Sequence, residues 1–226
     1  MQTLDEIKRT ICQLPRFERD QLVYWACDLL PMVREPPAAY TAAIRRFLSV
    51  EEYLALEEKS PVKHEYVAGE IFAMSGVSRR HSLITTNLGI EIGNHLRGGP
   101  CEVHMEAFKL RLRVDAADAF YYPDVMVACG RDGVEDYYLR NPKLVIEVLS
   151  PSTELTDRRE KALSYRQIGT LEEYAFVAQS HPEVTLQRRR DAWRPVVLTT
   201  LESVAEFRSV GLSVALARIY ADALSP

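Results

Sequence analysis

The sequence predicts an α/β or α+β fold in which helices flank a central mixed sheet. Two nearly continuous apolar stretches, residues 120–128 and 144–149, have the Val/Ile/Leu character of strands that are covered on both faces. A segment of helical period precedes them, and further strands and helices follow in mixed order. With 226 residues and 47% hydrophobic content, the chain is long enough for one sizeable domain and an extension.

Residues 1–40 predict an N-terminal helical hairpin followed by a proline-rich linker. Two amphipathic stripes of helical spacing come first, and Pro31, Pro36 and Pro37 then prevent the helix from continuing. The apolar stripes need a partner, which could be the rest of the chain, a second copy or another protein. The main domain is predicted for residues 44–226.

The elements of the main domain follow from local patterns. Ser49-Val-Glu-Glu52 is a capping box, so a helix is expected from there to about residue 59. Alternation of period two and of period 3.6 then predicts the remaining elements. In order, these are a hairpin over 64–74 that turns at Ala68-Gly69, a helix over about 80–96 that Gly98-Gly99 ends, a strand over 107–114, a turn over 115–118, the two apolar strands, a helix over about 157–168, strands near 174–178, 183–189 and 193–199, and a helix over about 213–224.

Composition limits the partners and the compartment. The net charge of −4 carries no global signature of nucleic-acid binding, so such binding would need a local basic patch. The four cysteines are widely spaced without a CxxC pair, and we expect buried free thiols in a reducing compartment. The N-terminus lacks a basic region followed by an apolar core, and no apolar run approaches the roughly 20 residues that span a bilayer. A cytoplasmic protein without membrane association is therefore expected.

Asp124, after Pro123, and Glu147 are the most informative residues. Each lies in a run so apolar that an unpaired charge there would cost several kcal/mol. A divalent cation is the natural compensation, because Mg²⁺ is usually held by one or two carboxylates together with substrate phosphates. The two acids therefore point toward metal-assisted phosphodiester chemistry. The alternative for Asp124 is a turn or helix-cap residue.

Three further side chains are candidates for the same site. Glu65 stands at the start of the hairpin, His81 opens the long helix, and Lys161 follows the strand of Glu147 at a position where it could hold a phosphate oxygen. Each has a plainer alternative: a cross-strand salt bridge for Glu65, a helix-start residue for His81 and a solvated helix face for Lys161.

Lys109, Arg111 and Arg113 alternate with apolar residues, which places three cations on one face of a strand. This stripe could be a nucleic-acid-binding track for phosphates. It could equally be a solvated edge that protects the sheet against aggregation.

Several motifs taken together resemble the Uma-two family of restriction-endonuclease-like proteins. The resemblance covers residues 44 to about 222. The motifs are Lys63-His-Glu-Tyr-Val-Ala-Gly-Glu70, Arg80-His81, Tyr122-Pro-Asp-Val-Met-Val127, Val145-Ile-Glu-Val-Leu-Ser-Pro-Ser-Thr153 and Asp157-Arg-Arg-Glu-Lys161. The resemblance implies a branch of the PD-(D/E)XK nuclease superfamily, and hence a restriction-endonuclease-like central mixed sheet flanked by helices.

The same resemblance implies roles for individual residues. Asp124 would be the aspartate of the PD element, Glu147 the second acid and Glu65 the acid of the first helix or hairpin. These three would hold Mg²⁺ or Mn²⁺. Leu149 stands where the superfamily carries its strand lysine, and Lys161 on the next helix would replace that lysine.

The leading hypothesis is a Mg²⁺-dependent DNA endonuclease. One alternative is a catalytically inactive nuclease-fold module that binds nucleic acid or protein, and another is a structural interaction protein assembled through residues 1–30. The retained acids argue against a pure binder of polyanions, because they repel phosphates unless a metal lies between. A homodimer is expected, since two copies related by a two-fold axis most simply cut both strands of a duplex.

Overall fold

A computed structural model describes residues 47–74, 76–114, 117–150 and 161–224. The predicted N-terminal hairpin and its linker, residues 1–40, lie outside these ranges. The first residues of the helix predicted over 157–168 also lie outside them.

Seventeen helices and strands lie in the described ranges, together with one short 3₁₀ turn. In chain order, the helices and strands are α1 (Val50–Glu57), β1 (His64–Val67), β2 (Glu70–Ala73), α2 (Arg79–Leu96), β3 (Cys101–Met105), β4 (Lys109–Val114), β5 (Ala117–Tyr121), β6 (Val125–Cys129), β7 (Tyr138–Leu139), β8 (Leu144–Leu149), α3 (Ala162–Arg166), β9 (Glu173–Ala178), β10 (Val184–Arg188), β11 (Pro195–Leu198), β12 (Val204–Phe207), β13 (Leu212–Ala215) and α4 (Leu216–Ile219); the 3₁₀ turn is Arg189–Asp191. No helix in the described ranges combines the length and apolar character that a membrane span requires.

The core of the molecule is a six-stranded mixed sheet, as the fold class predicts. Its strand order is β11-β10-β9-β8-β6-β3, in which β8 and β9 run parallel and the other neighbours antiparallel. Ile84, Leu88 and Ile92 of α2 pack on one face of this sheet. Tyr165 of α3 packs on the other face together with Leu110 of β4. The sheet therefore lies between helices, with a second sheet alongside α3.

The second sheet has five strands in the order β2-β1-β5-β4-β7. Its hairpin β1–β2 turns where predicted, at Ala68 (φ 50°) and Gly69 (φ 96°). A Cβ at position 69 would lie 2.8 Å from a ring carbon of Phe47, so only glycine fits this turn. The capping box of α1 is also confirmed, because Ser49 and Glu52 exchange their backbone and side-chain hydrogen bonds.

The prediction of a single strand over residues 120–128 is wrong, because this stretch contains parts of two strands. β5 ends at Tyr121 in the five-stranded sheet, and β6 begins at Val125 in the six-stranded sheet. Pro123 lies between them, and a proline cannot donate to a strand ladder and fixes its own φ. Asp124 is thereby placed in the crossing segment between the two sheets, directly before β6.

The predicted helix over 213–224 is also wrong in extent. Leu212–Ala215 forms β13, which pairs antiparallel with β12, and the helix is only Leu216–Ile219. Ser213 is exposed while Val214 is buried, which is the period of a strand with one covered face. A strand at Cys101–Met105 was not predicted either, because its alternation spans only five residues.

Cys101 and Cys129 form a disulfide, so the prediction of free thiols is wrong for this pair. The two residues are directly opposite each other in the antiparallel pair β3–β6, with their Cα atoms 3.9 Å apart. Spacing along the chain could not reveal this cross-strand neighbourhood. Cys12 and Cys27 lie outside the described residues. Disulfides are rare in cytosolic proteins, and the cytoplasmic location stays a prediction.

Candidate active site

Asp124 and Glu147 lie at neighbouring positions of the six-stranded sheet. In the antiparallel pairing of β6 with β8, Val125 stands opposite Ile146, so Asp124 is one step beyond that pair, beside Glu147. The backbone N–H of Val148 donates a hydrogen bond to Oδ2 of Asp124 at 2.6 Å. The strand that carries Glu147 therefore also holds the carboxylate of Asp124.

Glu147 is only 3% exposed and faces α3. The hydroxyl of Tyr165 donates a hydrogen bond to its Oε1 at 2.7 Å, and Nζ of Lys161 lies 3.8 Å from the same oxygen. Burial, and then the charge of Glu147, raise the pKa of Tyr165 well above its usual value. Tyr165 therefore remains a protonated donor to Glu147 over the whole physiological range.

Lys161 comes immediately before α3 and connects the two sheets. Its Nζ lies 2.7 Å from Oε1 of Glu65 on β1 and 5.4 Å from the ring centroid of Tyr121 at the end of β5. Lys161 is 8% exposed, so the solvated-face alternative is wrong. The ammonium is a buried cation that lies between two carboxylates, one from each sheet.

His81, in the first turn of α2, contacts Asp124. Its Nε2 lies 3.2 Å from Oδ1 of Asp124, and 7% of its side chain is exposed. Burial lowers the pKa of His81, but the hydrogen bond to Asp124, the charge of Asp124 and the charge of Glu106 outweigh burial, so the net pKa is raised. The predicted residues thus fall into two groups, Lys161 with Glu65 and Glu147, and His81 with Asp124.

Glu106 is a site residue that sequence reasoning missed. It lies in the turn between β3 and β4, and its carboxylate, that of Asp124 and the ring of His81 each offer a ligand atom within 4.8 Å of the others. Among the described residues, this is the only set of three or more His, Cys, Asp or Glu side chains that come so close. No local pattern could identify Glu106, because the tertiary fold alone brings this turn to Asp124. Metal binding by Asp124, Glu147 and Glu65 together stays a prediction.

The cationic stripe of β4 lies on one face, as its alternation predicts. Lys109 contacts an aromatic ring on that face, with its Nζ 5.5 Å from the ring centroid of Tyr122. Arg111 forms an ion pair with Asp118 at 3.0 Å. Burial lowers the pKa of Lys109. β7 pairs with β4 only at Lys109 and Leu110, so the rest of β4, with Arg111 and Arg113, is paired with β5 alone, and the alternative of a solvated edge stays open.

Arg113, the third cation, is the most exposed of the stripe. With Arg111 and Arg140 it lines an open cleft of about 520 Å³ beside residues 167–169. The nucleic-acid-binding role of the stripe stays a prediction.

A mixed sheet flanked by helices in this arrangement is a restriction-endonuclease-like fold. The chain belongs to the Uma2 family, which is described as "Putative restriction endonuclease" and whose profile matches residues 50–217. The family resemblance predicted from the sequence is confirmed.

Known proteins that are similar to this chain include two sequence relatives and one solved structure. Uncharacterized protein slr1290 of Synechocystis sp. is 39% identical over 175 residues, which cover 76% of this chain and 91% of the relative. Uncharacterized protein sll1609 of the same organism is 33% identical over 144 residues, which cover 61% of this chain and 78% of the relative. A crystal structure from Anabaena variabilis, described as a "putative nuclease belonging to DUF820", is similar with a TM-score of 0.63 at 17% identity, covering 76% of this chain and 97% of the other. The last similarity concerns the fold alone.

Proposed function

We propose that the protein is a divalent-metal-dependent DNA endonuclease that hydrolyses phosphodiester bonds through a PD-(D/E)XK-type site. The observation that carries this proposal is the buried ammonium of Lys161, 3.8 Å from Glu147, in a chain of this family whose strand lacks the usual lysine. Glu147 lies beside Asp124 on the neighbouring strand. Two acids and one lysine are the side chains that such a site requires.

Lys161 is the residue of this chain that would act on the scissile phosphate. Leu149, two residues after Glu147, is 3% exposed and packed in the core, so β8 itself offers no cation. An ammonium supplied from the start of α3 reaches Glu147 instead. A positioned cation stabilises negative charge that develops on the phosphoryl oxygens in the transition state.

The donors that surround the acids keep their carboxylates in place. Tyr165 orients Glu147, the backbone of Val148 orients Asp124, and Glu65 holds the ammonium of Lys161 by a 2.7 Å ion pair. Such supports limit the reorganisation that would otherwise accompany the reaction. The ring of His81 lies on the other side of Asp124, with Nε2 3.2 Å from Oδ1.

A divalent cation, Mg²⁺ or Mn²⁺, fits the acids of this site. Asp124 presents Oδ1 away from the Val148 amide, and carboxylate oxygens are the ligands that both ions accept. When bound, the ion would supply positive charge for the scissile phosphate and activate water as the nucleophile. DNA is the proposed substrate.

A second candidate function is a binding module of the same fold without turnover. One observation favours it: the ammonium of Lys161 already compensates Glu65 and Glu147, so these acids do not need a metal to remain charged. Lys161 can therefore compensate the charge of Glu147 in place of the divalent cation that the sequence predicted for it.

Incubation of the full chain with closed circular plasmid DNA decides between these functions. With Mg²⁺ or Mn²⁺ we expect nicked and linear products, and with EDTA, which removes the metal, we expect none. A closed circle has no ends for an exonuclease, so these products would report an endonuclease. Asp124→Asn and Glu147→Gln should each abolish cleavage, whereas Glu172→Gln, at an exposed surface pair with Lys143, should cleave as the wild type. Retardation of the plasmid without cleavage in any of the metals would favour the binding module.

A further inference from the structure

We propose that His81, Glu106 and Asp124 form a site for a divalent transition-metal ion of the Mn²⁺ class. The three residues come from the first turn of α2, the β3–β4 turn and the segment before β6. The use of this ion in DNA cleavage rests on the proposed function, but its binding does not. In this proposal His81 and Glu106 are metal ligands together with Asp124.

Asp124 has one carboxylate oxygen available for an ion. Its Oδ2 accepts the Val148 amide at 2.6 Å, so the carboxylate cannot rotate freely, and its Oδ1 lies 3.2 Å from Nε2 of His81. Two ligand atoms at about 2.1 Å from one ion, roughly at right angles, are about 3 Å apart. The oxygen and the ring therefore already have the separation of neighbouring ligands.

Glu106 is held beside Asp124 by its backbone and not by its side chain. Its N–H donates to the carbonyl oxygen of Asp124 at 3.2 Å, and its own carbonyl accepts from Nζ of Lys63 at 3.1 Å. No described residue forms an ion pair or a hydrogen bond with the carboxylate of Glu106. Two carboxylates side by side repel each other, and a divalent cation between them removes that repulsion.

His81 supplies the second, independent indication of a ligand. The residue is only 6% exposed, and its Nδ1 is buried without a hydrogen bond of good geometry, although the backbone of Val148 is close enough to the ring to raise the pKa of His81. A buried polar atom that lacks a well-formed hydrogen bond is unfavourable. With one ring nitrogen lacking a well-formed hydrogen bond and the other facing a carboxylate, the imidazole can give a nitrogen to an ion.

The chemistry of the set favours a transition metal over Mg²⁺. An imidazole nitrogen suits the first-row transition ions, whereas Mg²⁺ prefers oxygen ligands and gives up water reluctantly. The pair of Glu65 and Glu147 is a poorer position, since the ammonium of Lys161 lies 2.7 and 3.8 Å from their oxygens. An ion bound there would have to displace or face that cation.

Titration of the full chain with Mn²⁺, followed by electron paramagnetic resonance, tests the site without reference to activity. We expect one tightly bound Mn²⁺ with a nitrogen modulation in the spin echo that reports an imidazole ligand. His81→Gln should abolish the modulation, and both His81→Gln and Glu106→Gln should weaken binding by at least about tenfold. A hundredfold excess of Mg²⁺ should displace less than half of the Mn²⁺. Glu102→Gln, an exposed acid four positions earlier, is the matched control and should bind as the wild type.

Circular dichroism checks that each variant folds. If His81→Gln fails to fold, the binding affinity of Glu106→Gln tests the site instead. Absence of the nitrogen modulation in the wild type would overturn the site. Weaker binding in Glu147→Gln together with unchanged binding in Glu106→Gln would also overturn it and move the ion to Asp124 and Glu147. Mn²⁺ bound with the modulation but without plasmid cleavage would reject the proposed function and keep the site. Plasmid cleavage without the nitrogen modulation would keep the proposed function and reject the site at His81, Glu106 and Asp124.

Discussion

The ammonium of Lys161 lies 2.7 Å from Oε1 of Glu65, although the two residues belong to distant parts of the chain. The same ammonium lies 3.8 Å from Oε1 of Glu147. Glu65 belongs to the five-stranded sheet and Glu147 to the six-stranded sheet, so one cation joins carboxylates from both. The proposed chemistry and part of the stability of the domain therefore depend on the same side chain.

Lys161→Met should reduce plasmid cleavage by about 10²–10³-fold while DNA affinity changes little, because the cation is proposed to act on charge that develops at the scissile phosphate. Single-turnover cleavage and a separate binding titration measure the two quantities. Lys143→Met, which removes a lysine from a surface pair with Glu172, is the control and should cleave as the wild type. Wild-type cleavage by Lys161→Met would remove Lys161 from the mechanism.

Lys161→Met and Glu65→Gln should each destabilise the domain, and the double variant should lose less than the sum of the two. Breaking a buried ion pair by removing one partner costs about 3–5 kcal/mol, because an uncompensated charge is left behind. In Glu65→Gln the contact of Lys161 with Glu147 remains, so the loss of stability should be at the low end of this range. Lys161→Met leaves both carboxylates without the ammonium and should cost more. Urea unfolding of the four proteins gives the coupling free energy. Simple additivity would mean that the two side chains do not interact in solution.

Tyr165→Phe should lower the free energy of unfolding by about 1.5–3 kcal/mol, since it removes a hydrogen bond to a buried charged group. The hydroxyl donates to Glu147 at 2.7 Å, while the ring, which is fully buried, would remain in place. Tyr137→Phe, at a residue that is 63% exposed, should change stability by less than about 0.5 kcal/mol. Equal effects of the two substitutions in thermal unfolding would contradict the assigned hydrogen bond.

Reduction of the Cys101–Cys129 disulfide should lower stability by about 3–4 kcal/mol, because the bond closes a loop with a sequence separation of 28. Thermal unfolding with and without dithiothreitol measures the difference. The double variant Cys101→Ser/Cys129→Ser should unfold at the reduced midpoint in both conditions. Thiol titration that finds four free cysteines in unreduced, denatured protein would show that the bond does not form.

The chain should form a homodimer, since two sites related by a two-fold axis match the two strands of a duplex. Light scattering at micromolar concentration should then report twice the 25.8 kDa of one chain. A mass of one chain would refute the dimer. Deletion of residues 1–40 tests where the contact lies, because a truncated chain that stays dimeric would exclude the N-terminal segment.

Local chemistry made a good part of this fold predictable. The capping box depends on Ser49 and Glu52, which are three positions apart. The turn at Ala68-Gly69 depends on a positive φ, which glycine adopts readily. The continuous apolar run around Glu147 correctly predicted a strand that is buried on both faces. Such features follow from a few neighbouring residues, so no tertiary structure is needed to recognise them.

Other features depend on which segments the chain brings together. Pro123 divides an apolar run between two sheets, a cross-strand register joins Cys101 to Cys129, and the tertiary fold alone places Glu106 next to Asp124. The sequence by itself determined the family and most strands, because motifs and periodicity are local. Only the tertiary structure decided that Lys161 compensates Glu147 while His81 and Glu106 accompany Asp124, because charges interact through space and not along the chain.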